Sequence, residues 1–467
     1  MADREPNHQL AATIKRAGAS NKGLARRVCE VGAEHGADLR YDHVAVSRWL
    51  AGTQPKGLVP HFIAEALSRK LGEPVTLTDI GMDARDDAAL LGLDYAERPT
   101  ESLERVTGLL RTDLSGDASA EAPSLNAASW NEVMLQWLLP ASDEPGSTPQ
   151  RSLISAATVE TVQVTTEMFA KLDYRFGGGH ARMAVLQYLD TDVMPLWRDA
   201  DPTSPLDREL MEATAALLRL VGWTAYDSGL HGMAQRYLVQ ALRLADAAGA
   251  RMLGGRILAG MSHQANFLGY HDHAVKLARA ARQGAHDQAT PTAMMLFYAM
   301  EARAHAAKGD AASSTKALSR AERLFDRRNP DDDPAWLLYF DEAELAAEFA
   351  HCYRDIGEGP EAEKWAAHSI ATSEALYVRS LSFVRTVLAT SHIQQGEVEQ
   401  GLAVADEVVS TTAGLRSARC LAYVQDFLRR LDGMRQDRTV KEFLDRTANT
   451  LPMTDHVAPA RVRSSRS

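Results

Sequence analysis

The sequence contains few cysteines and no long apolar run. Its three cysteines, Cys29, Cys352 and Cys420, lie far apart and form no Cys-x-x-Cys motif, which argues against a disulfide framework and against a zinc knuckle. No run of 18 or more uncharged apolar residues occurs, and the N-terminal MADREPNHQL has no apolar segment behind a basic start. We therefore expect a cytoplasmic protein that does not associate with a membrane.

The motifs of common enzymes and cofactor sites are also missing. GxSxG, HExxH, phosphate-loop and kinase signatures do not occur, and the glycines at 177–179 lack the spacing of a nucleotide-binding loop, which favours a tight turn between helices. His263, His271 and His273 fit a polar loop, with a metal site as the alternative. We expect no catalysis, no cofactor and no bound metal.

The charge of the chain is unevenly distributed. Its net charge of −11 disfavours nucleic-acid binding, which depends on Lys and Arg. Between Lys15 and Lys70, however, ten basic residues stand against five acidic ones. The 467 residues are too many for one core, since a domain usually takes about 150 residues. The N-terminal segment is therefore a candidate for a separate, basic unit.

Residues 7–80 have the pattern of four short helices, ended by glycines at 18, 36, 52 and 72. Within them stand AASNKGLARRV, YDHVAVSRWLAGTQPKGL and IAEALSRKLG. In the second segment Val44, Val46, Trp49 and Leu50 give an apolar stripe. Over residues 8–72 the pattern resembles the Xre/Cro-repressor-like helix-turn-helix family, although VGAEHGADLRY makes the connection between the two central helices longer than the usual tight turn.

The resemblance implies a DNA-binding surface on double-stranded DNA. One group of residues would face bases or adjacent phosphates: Tyr41, His43, Ser47 and Arg48. A second group would hold the phosphate backbone: Lys22, Arg26, Thr53 and Lys56. The alternative for the basic residues is a solvated helical face.

From 153 to 450 the chain is Ala-rich, has helical periodicity and shows little strand signal, so we predict an all-α protein. A unit recurs five times: a helix, a glycine, and small or apolar residues five, nine and twelve positions later. The five glycines are Gly229, Gly269, Gly309, Gly357 and Gly396. The offsets resemble those of tetratricopeptide (TPR) repeats, although the intervals of 40, 40, 48 and 39 exceed the standard 34. Armadillo-like pairs are the structural rival.

These patterns predict a helix-turn-helix domain at 1–80, a linker with short helices at 81–152, a TPR-like α-solenoid at 153–450 and a flexible basic tail at 451–467. In the linker, Trp130, Val133, Met134 and Trp137 have the spacing of an amphipathic helix that could dock.

A second resemblance begins at VETVQVTTEMF and is most specific in the block LDYRFGGGHAR, from Leu172 to Arg182. With the order of domains, it resembles actinobacterial, Streptomyces-type regulators of differentiation and antibiotic production. The resemblance implies a transcriptional role, frequently repressive, and leaves the effector open.

TPR arrays bind ligands on the concave face, at fixed positions of the first helix of each hairpin. Transferred to this sequence, these positions are Arg219, Trp223, Tyr226, His263, Asn266, Phe267, Arg303, His351, Arg354 and Arg385. Such side chains suit a peptide, small-molecule or protein effector. The alternative is the ordinary surface charge of a helical array. We expect a homodimeric DNA-binding regulator, with a scaffold protein carrying a non-binding head as the rival.

Overall fold

The computed structural model describes residues 6–34, 37, 39–55, 59–73, 75–82, 91–115, 123–139, 154–198 and 204–451. Within these ranges the protein is all-α, without strands, as predicted. The helices before the hairpins are α1 (His8–Arg16), α2 (Asn21–Glu34), α3 (His43–Leu50), α4 (Val59–Leu71), α5 (Pro99–Leu114), α6 (Ala127–Leu138), α7 (Ala156–Phe176) and α8 (Gly178–Tyr188). The tail predicted to be flexible lies, apart from Leu451, outside the described residues.

Ten helices form five consecutive hairpins, and two more follow them. The hairpins are α9 (Pro205–Asp227) with α10 (His231–Ala247), α11 (Arg251–Phe267) with α12 (His271–Gly284), α13 (Pro291–Ala307) with α14 (Ala311–Phe325), α15 (Glu342–Ile356) with α16 (Gly359–Thr372), and α17 (Val378–Gln395) with α18 (Val398–Ala413). The last helices are α19 (Ala418–Arg430) and α20 (Arg438–Thr450). No helix in the described ranges is long and apolar enough to cross a bilayer.

The five glycines predicted from the repeat occupy the turns of these five hairpins. Each has a positive φ, between +80° and +95°, a conformation that other residues rarely adopt. Seven positions before each of these glycines lies a small buried residue: Gly222, Ser262, Ala302, Ala350 and Ala389. A Cβ on Gly222 would lie 2.9 Å from Leu238 Cγ, so the two helices of that hairpin approach closely. The TPR-like array is therefore confirmed, and the long interval of 48 reflects the connection at 326–341 between α14 and α15.

Helices α1–α4 pack around a core of their own. Leu10, Leu24, Val46 and Trp49 are buried in it, together with Ile63. The long connection between α2 and α3 is held in place by the side chains around it: Leu39 packs on Gly32, and the Tyr41 amide donates to Cys29 Sγ at 3.2 Å. The helix-turn-helix arrangement thus survives the longer connection.

Helices α5 and α6 pack on the array. Trp130 and Trp137 of α6 are fully buried, and Trp137 fills a slot between Gly254 of α11 and Gly284 of α12. Gln240 of α10 donates to the carbonyl oxygen of Gly92 at 2.9 Å. Helices α5 and α6 therefore share the hydrophobic core of the array.

The array also closes on itself. Gly179 N donates to the carbonyl of Arg416 at 2.9 Å, and Arg416 N donates to the carbonyl of Phe176 at 3.0 Å. A Cβ on Gly177 would lie 2.7 Å from Arg416 O, so this junction requires glycine. The buried Arg379 of α17 donates to Asp173 of α7 at 2.5 Å. The glycines at 177–179 are therefore the place where the first and last helices of the array meet.

Candidate functional site

The first candidate surface is the outer face of α3. Asp42 caps this helix by accepting from the amides of Val44 and Ala45 at 3.0 and 3.1 Å, and these hydrogen bonds, that from Ala45 first, lower the pKa of Asp42. Val46 and Trp49 point into the core, which turns His43, Ser47 and Arg48 outward, where they are exposed. The helix thus presents one polar, basic face.

The residues predicted to hold phosphates lie in different settings around α3. Lys22 is exposed on α2, while Arg26, also exposed, lies 3.4 Å from Glu30. Thr53 donates its amide to the carbonyl of Arg48 at 2.9 Å. Lys56 lies outside the described residues.

Tyr41 has a structural contact as well as its predicted role. It is half-buried with its ring edge-on to Trp49 at 5.1 Å between centroids, and burial raises the pKa of its phenol. The contact with Trp49 therefore holds Tyr41 against α3, next to the residues predicted to face DNA.

Two residues of this surface were missed by sequence reasoning. Val44, assigned to the apolar stripe, is 42% exposed beside His43, and a valine on such a face can contact a thymine methyl group. Asn21 begins α2 and donates its side-chain amide to Ser47 Oγ at 3.4 Å. An Asn at the start of the first helix of the pair was a signal available in the sequence.

The second candidate site is a pocket inside the array. It has an outer chamber of about 430 Å³ and an inner pocket of about 70 Å³, which share His263, Arg303 and Tyr423. Apart from Tyr339, the inner pocket is lined by the first helices of the hairpins and by α19. This is the side of a TPR-like array on which ligands bind.

The structure brings seven of the ten predicted groove residues to this pocket. They are Trp223, His263, Asn266, Phe267, Arg303, His351 and Arg354. Tyr226 lies behind them and its hydroxyl is 2.9 Å from His263 Nδ1. Arg219 is buried nearby, whereas Arg385 lies apart, with its Nε 3.6 Å from Glu407 on α18.

Three arginines and one tyrosine of the pocket were missed: Arg256, Arg379, Arg419 and Tyr423. Arg256 and Arg379 lie in earlier turns of α11 and α17 than the positions used for prediction. Arg419 and Tyr423 belong to α19, which follows the last hairpin, so no repeat position includes them.

Two histidines of the pocket are held neutral. Burial lowers the pKa of His263 well below its usual value, and Arg419 and Arg303 lower it further. Burial and the neighbouring Arg303 and Arg354 do the same for His351. A neutral imidazole can both donate and accept a hydrogen bond, so these rings suit a polar ligand without adding charge.

The fold and its two candidate sites define a helix-turn-helix unit followed by a TPR-like helical array. Residues 10–83 match the family model described as the SP15 N-terminal domain. Among solved structures, the crystal structure of NprR in complex with its cognate peptide NprX is similar, with 14% identity, a TM-score of 0.41, and coverage of 78% of this chain and 89% of that chain. A comparison with curated proteins found no match.

Proposed function

We propose that the chain is a sequence-specific DNA-binding transcription regulator, non-enzymatic, in which residues 1–80 read DNA and the array from 153 to 450 receives an effector and forms a homodimer. The observation that carries the proposal is the outward face of α3, where His43, Ser47 and Arg48 are exposed on a helix anchored by Trp49. An exposed arginine can donate two hydrogen bonds to one guanine. We propose that this regulator controls genes of differentiation and antibiotic production, and that it acts as a repressor.

The homodimer has its own support on α7. Val164, Met168, Leu172 and Phe176 recur every four residues and are all exposed, Met168 to 62%. An apolar stripe of this kind on a helix generally marks an interface. A second copy is the occupant we favour, because helix-turn-helix readers usually pair two heads on two half-sites about one DNA turn apart.

The test of DNA reading is capture of fragmented genomic DNA by the purified full chain, followed by titration of enriched fragments at several salt concentrations. We expect specific fragments, and we expect Arg48→Ala to weaken their binding about tenfold or more, since one bidentate base contact contributes about 1–3 kcal/mol. Arg16→Ala is the matched control, because it removes the same charge from α1, where Arg16 lies 3.4 Å from Glu73.

Equal losses in the two variants would show that only general charge matters and would contradict base reading by α3. No enrichment at low salt would favour the rival, a TPR scaffold whose helix-turn-helix does not bind DNA.

A further inference from the structure

The interior of the array holds an unusual number of buried cations. Six arginines of the first helices and α19 are at most 9% exposed: Arg219, Arg256, Arg303, Arg354, Arg379 and Arg419. A buried charge is costly unless an opposite charge compensates it. An arginine without a carboxylate partner is therefore a candidate to bind an anionic ligand.

Four of the six arginines have a carboxylate partner. Arg379 pairs with Asp173 at 2.5 Å, Arg303 with Glu348 at 2.8 Å and Arg354 with Asp355 at 2.6 Å, and Arg419 lies 3.6 Å from Asp227. Each of these distances joins a guanidinium nitrogen to a carboxylate oxygen. These pairs leave two arginines to be explained.

Arg219 and Arg256 have no ion pair within the described residues. Arg256 instead lies over the rings of Tyr339 and Trp223, at 4.9 and 5.9 Å from their centroids. Burial, and then repulsion by Arg256, lower the pKa of Arg219 to about 10. The six arginines and their four carboxylate partners therefore leave two positive charges uncompensated, one on Arg256 in the wall of the inner pocket and one on Arg219 buried nearby.

Glu344, whose carboxyl group lines the inner pocket, does not cancel this excess. Burial raises the pKa of Glu344 to about 8, and the adjacent Glu348 and Asp341 raise it in the same direction. Glu344 is therefore protonated at neutral pH.

Hydrogen-bond donors point to the same conclusion. The Nε atoms of Arg256, Arg303, Arg379 and Arg419 are buried and have no acceptor in the described part of the chain. All four side chains line the inner pocket of about 70 Å³. Guanidinium groups form their strongest hydrogen bonds with carboxylate and phosphate oxygens. The inner pocket is therefore lined by four arginines with unused donors, around a space with the volume of one small anionic group.

We propose that the inner pocket binds the phosphate dianion of a small phosphorylated molecule, whose organic remainder occupies the outer chamber. A phosphate monoester carries close to two negative charges near neutral pH, which matches the excess, whereas a single carboxylate matches half of it. The outer chamber of about 430 Å³ has the size of an ordinary small-molecule site. This inference rests on the proposed effector role of the array and is independent of DNA reading.

The probe is inorganic phosphate, titrated calorimetrically into the full chain without DNA, against chloride and succinate at matched ionic strength. We expect saturable phosphate binding that succinate and chloride do not reproduce, with a parallel rise in the thermal midpoint, because a ligand stabilises the state that binds it. Absence of saturable binding, or a preference for succinate, would overturn the proposal without any variant.

Arg256→Gln is the informative variant, because it removes a guanidinium that holds no ion pair in the described structure, so the fold should persist. We expect at least a tenfold loss of phosphate affinity. The matched control is Arg385→Gln on α17, outside the pocket, which should bind within twofold of the unmodified protein. Equal affinity in the two variants would overturn the assignment.

The two proposals fail separately. Phosphate binding with no DNA capture would remove the regulator and leave the anion site, whereas DNA capture with no phosphate binding would remove the anion site alone.

Discussion

Glu344 is the residue whose environment has the clearest consequence for pH. Its carboxyl group has a pKa of about 8 in the folded protein, raised first by burial, whereas an unfolded chain has a pKa near the ordinary value for Glu. Between these values the folded state binds a proton that the unfolded state does not. Stability therefore falls as pH rises through this window.

We predict that Glu344→Gln removes this fall in stability with rising pH. Relative to the unmodified protein, the variant should gain stability steadily between about pH 5 and pH 8, measured as the free energy of unfolding in urea at several pH values. Contributions from the buried histidines are common to both proteins and cancel in the difference. Glu399→Gln, on the exposed surface of α18, is the control and should give a flat difference; a flat difference for Glu344→Gln as well would contradict the prediction.

At the residue scale, the outward side chains of α3 could be predicted from the sequence, because an amphipathic helix separates its faces by simple periodicity. Val44 departed from the predicted stripe since α3 has only eight residues and Val44 stands in its first turn. The buried arginines were harder to foresee. Their role depends on which carboxylates fold against them, and Asp173 is far from Arg379 along the chain.

At the scale of elements, Trp137 of α6 sits in a slot between two helices of the array. A Cβ on Gly254 would lie 2.1 Å from the Trp137 ring, and one on Gly284 would lie 2.2 Å from Trp137 Nε1. Arg251 stacks on the open side of the ring at 3.4 Å. The Trp137 ring therefore has little room to move away from a larger side chain at Gly254 or Gly284.

We predict that Gly254→Ala destabilises the protein by about 1–3 kcal/mol, the usual cost of overpacking a core. Gly260→Ala, on the same helix α11, is the matched control: the nearest atom to its Cβ is 3.9 Å away, so it should stabilise by up to about 1 kcal/mol through helix propensity. Urea unfolding followed by circular dichroism measures both, and a stabilising effect of Gly254→Ala would contradict the described slot.

The five hairpins could be predicted because each turn needs a glycine with positive φ, and five such glycines at similar intervals are visible in a sequence. The docking of α5 and α6 could not be predicted in the same way. The spacing of Trp130 and Trp137 indicates a helix with an apolar face, but the glycines that receive Trp137 lie in the two helices of a later hairpin, and nothing in the sequence marks them as its partners.

At the scale of the whole molecule, the exposed stripe on α7 bears on assembly. We predict that Met168→Glu shifts the protein from dimer to monomer, because a charge placed in an apolar interface must lose its hydration without a partner. Light scattering after size-exclusion chromatography, over a range of protein concentrations, measures the mass. Gln163→Glu, exposed on the same helix beside the stripe, is the control and should leave the mass unchanged.

A dimer that persists in Met168→Glu would place the interface elsewhere, and an unmodified protein that is monomeric at every concentration would contradict the dimer itself.

The junction between Gly179 and Arg416 restricts how such a protein can evolve. Most tandem arrays gain or lose units freely, because each unit touches only its neighbours. Here the last helices must return to the first, so one duplicated hairpin would carry Arg416 away from Gly179 and Arg379 away from Asp173. The number of hairpins is therefore fixed, and we expect related chains to differ in length at connections such as 326–341 and not in their count of repeats.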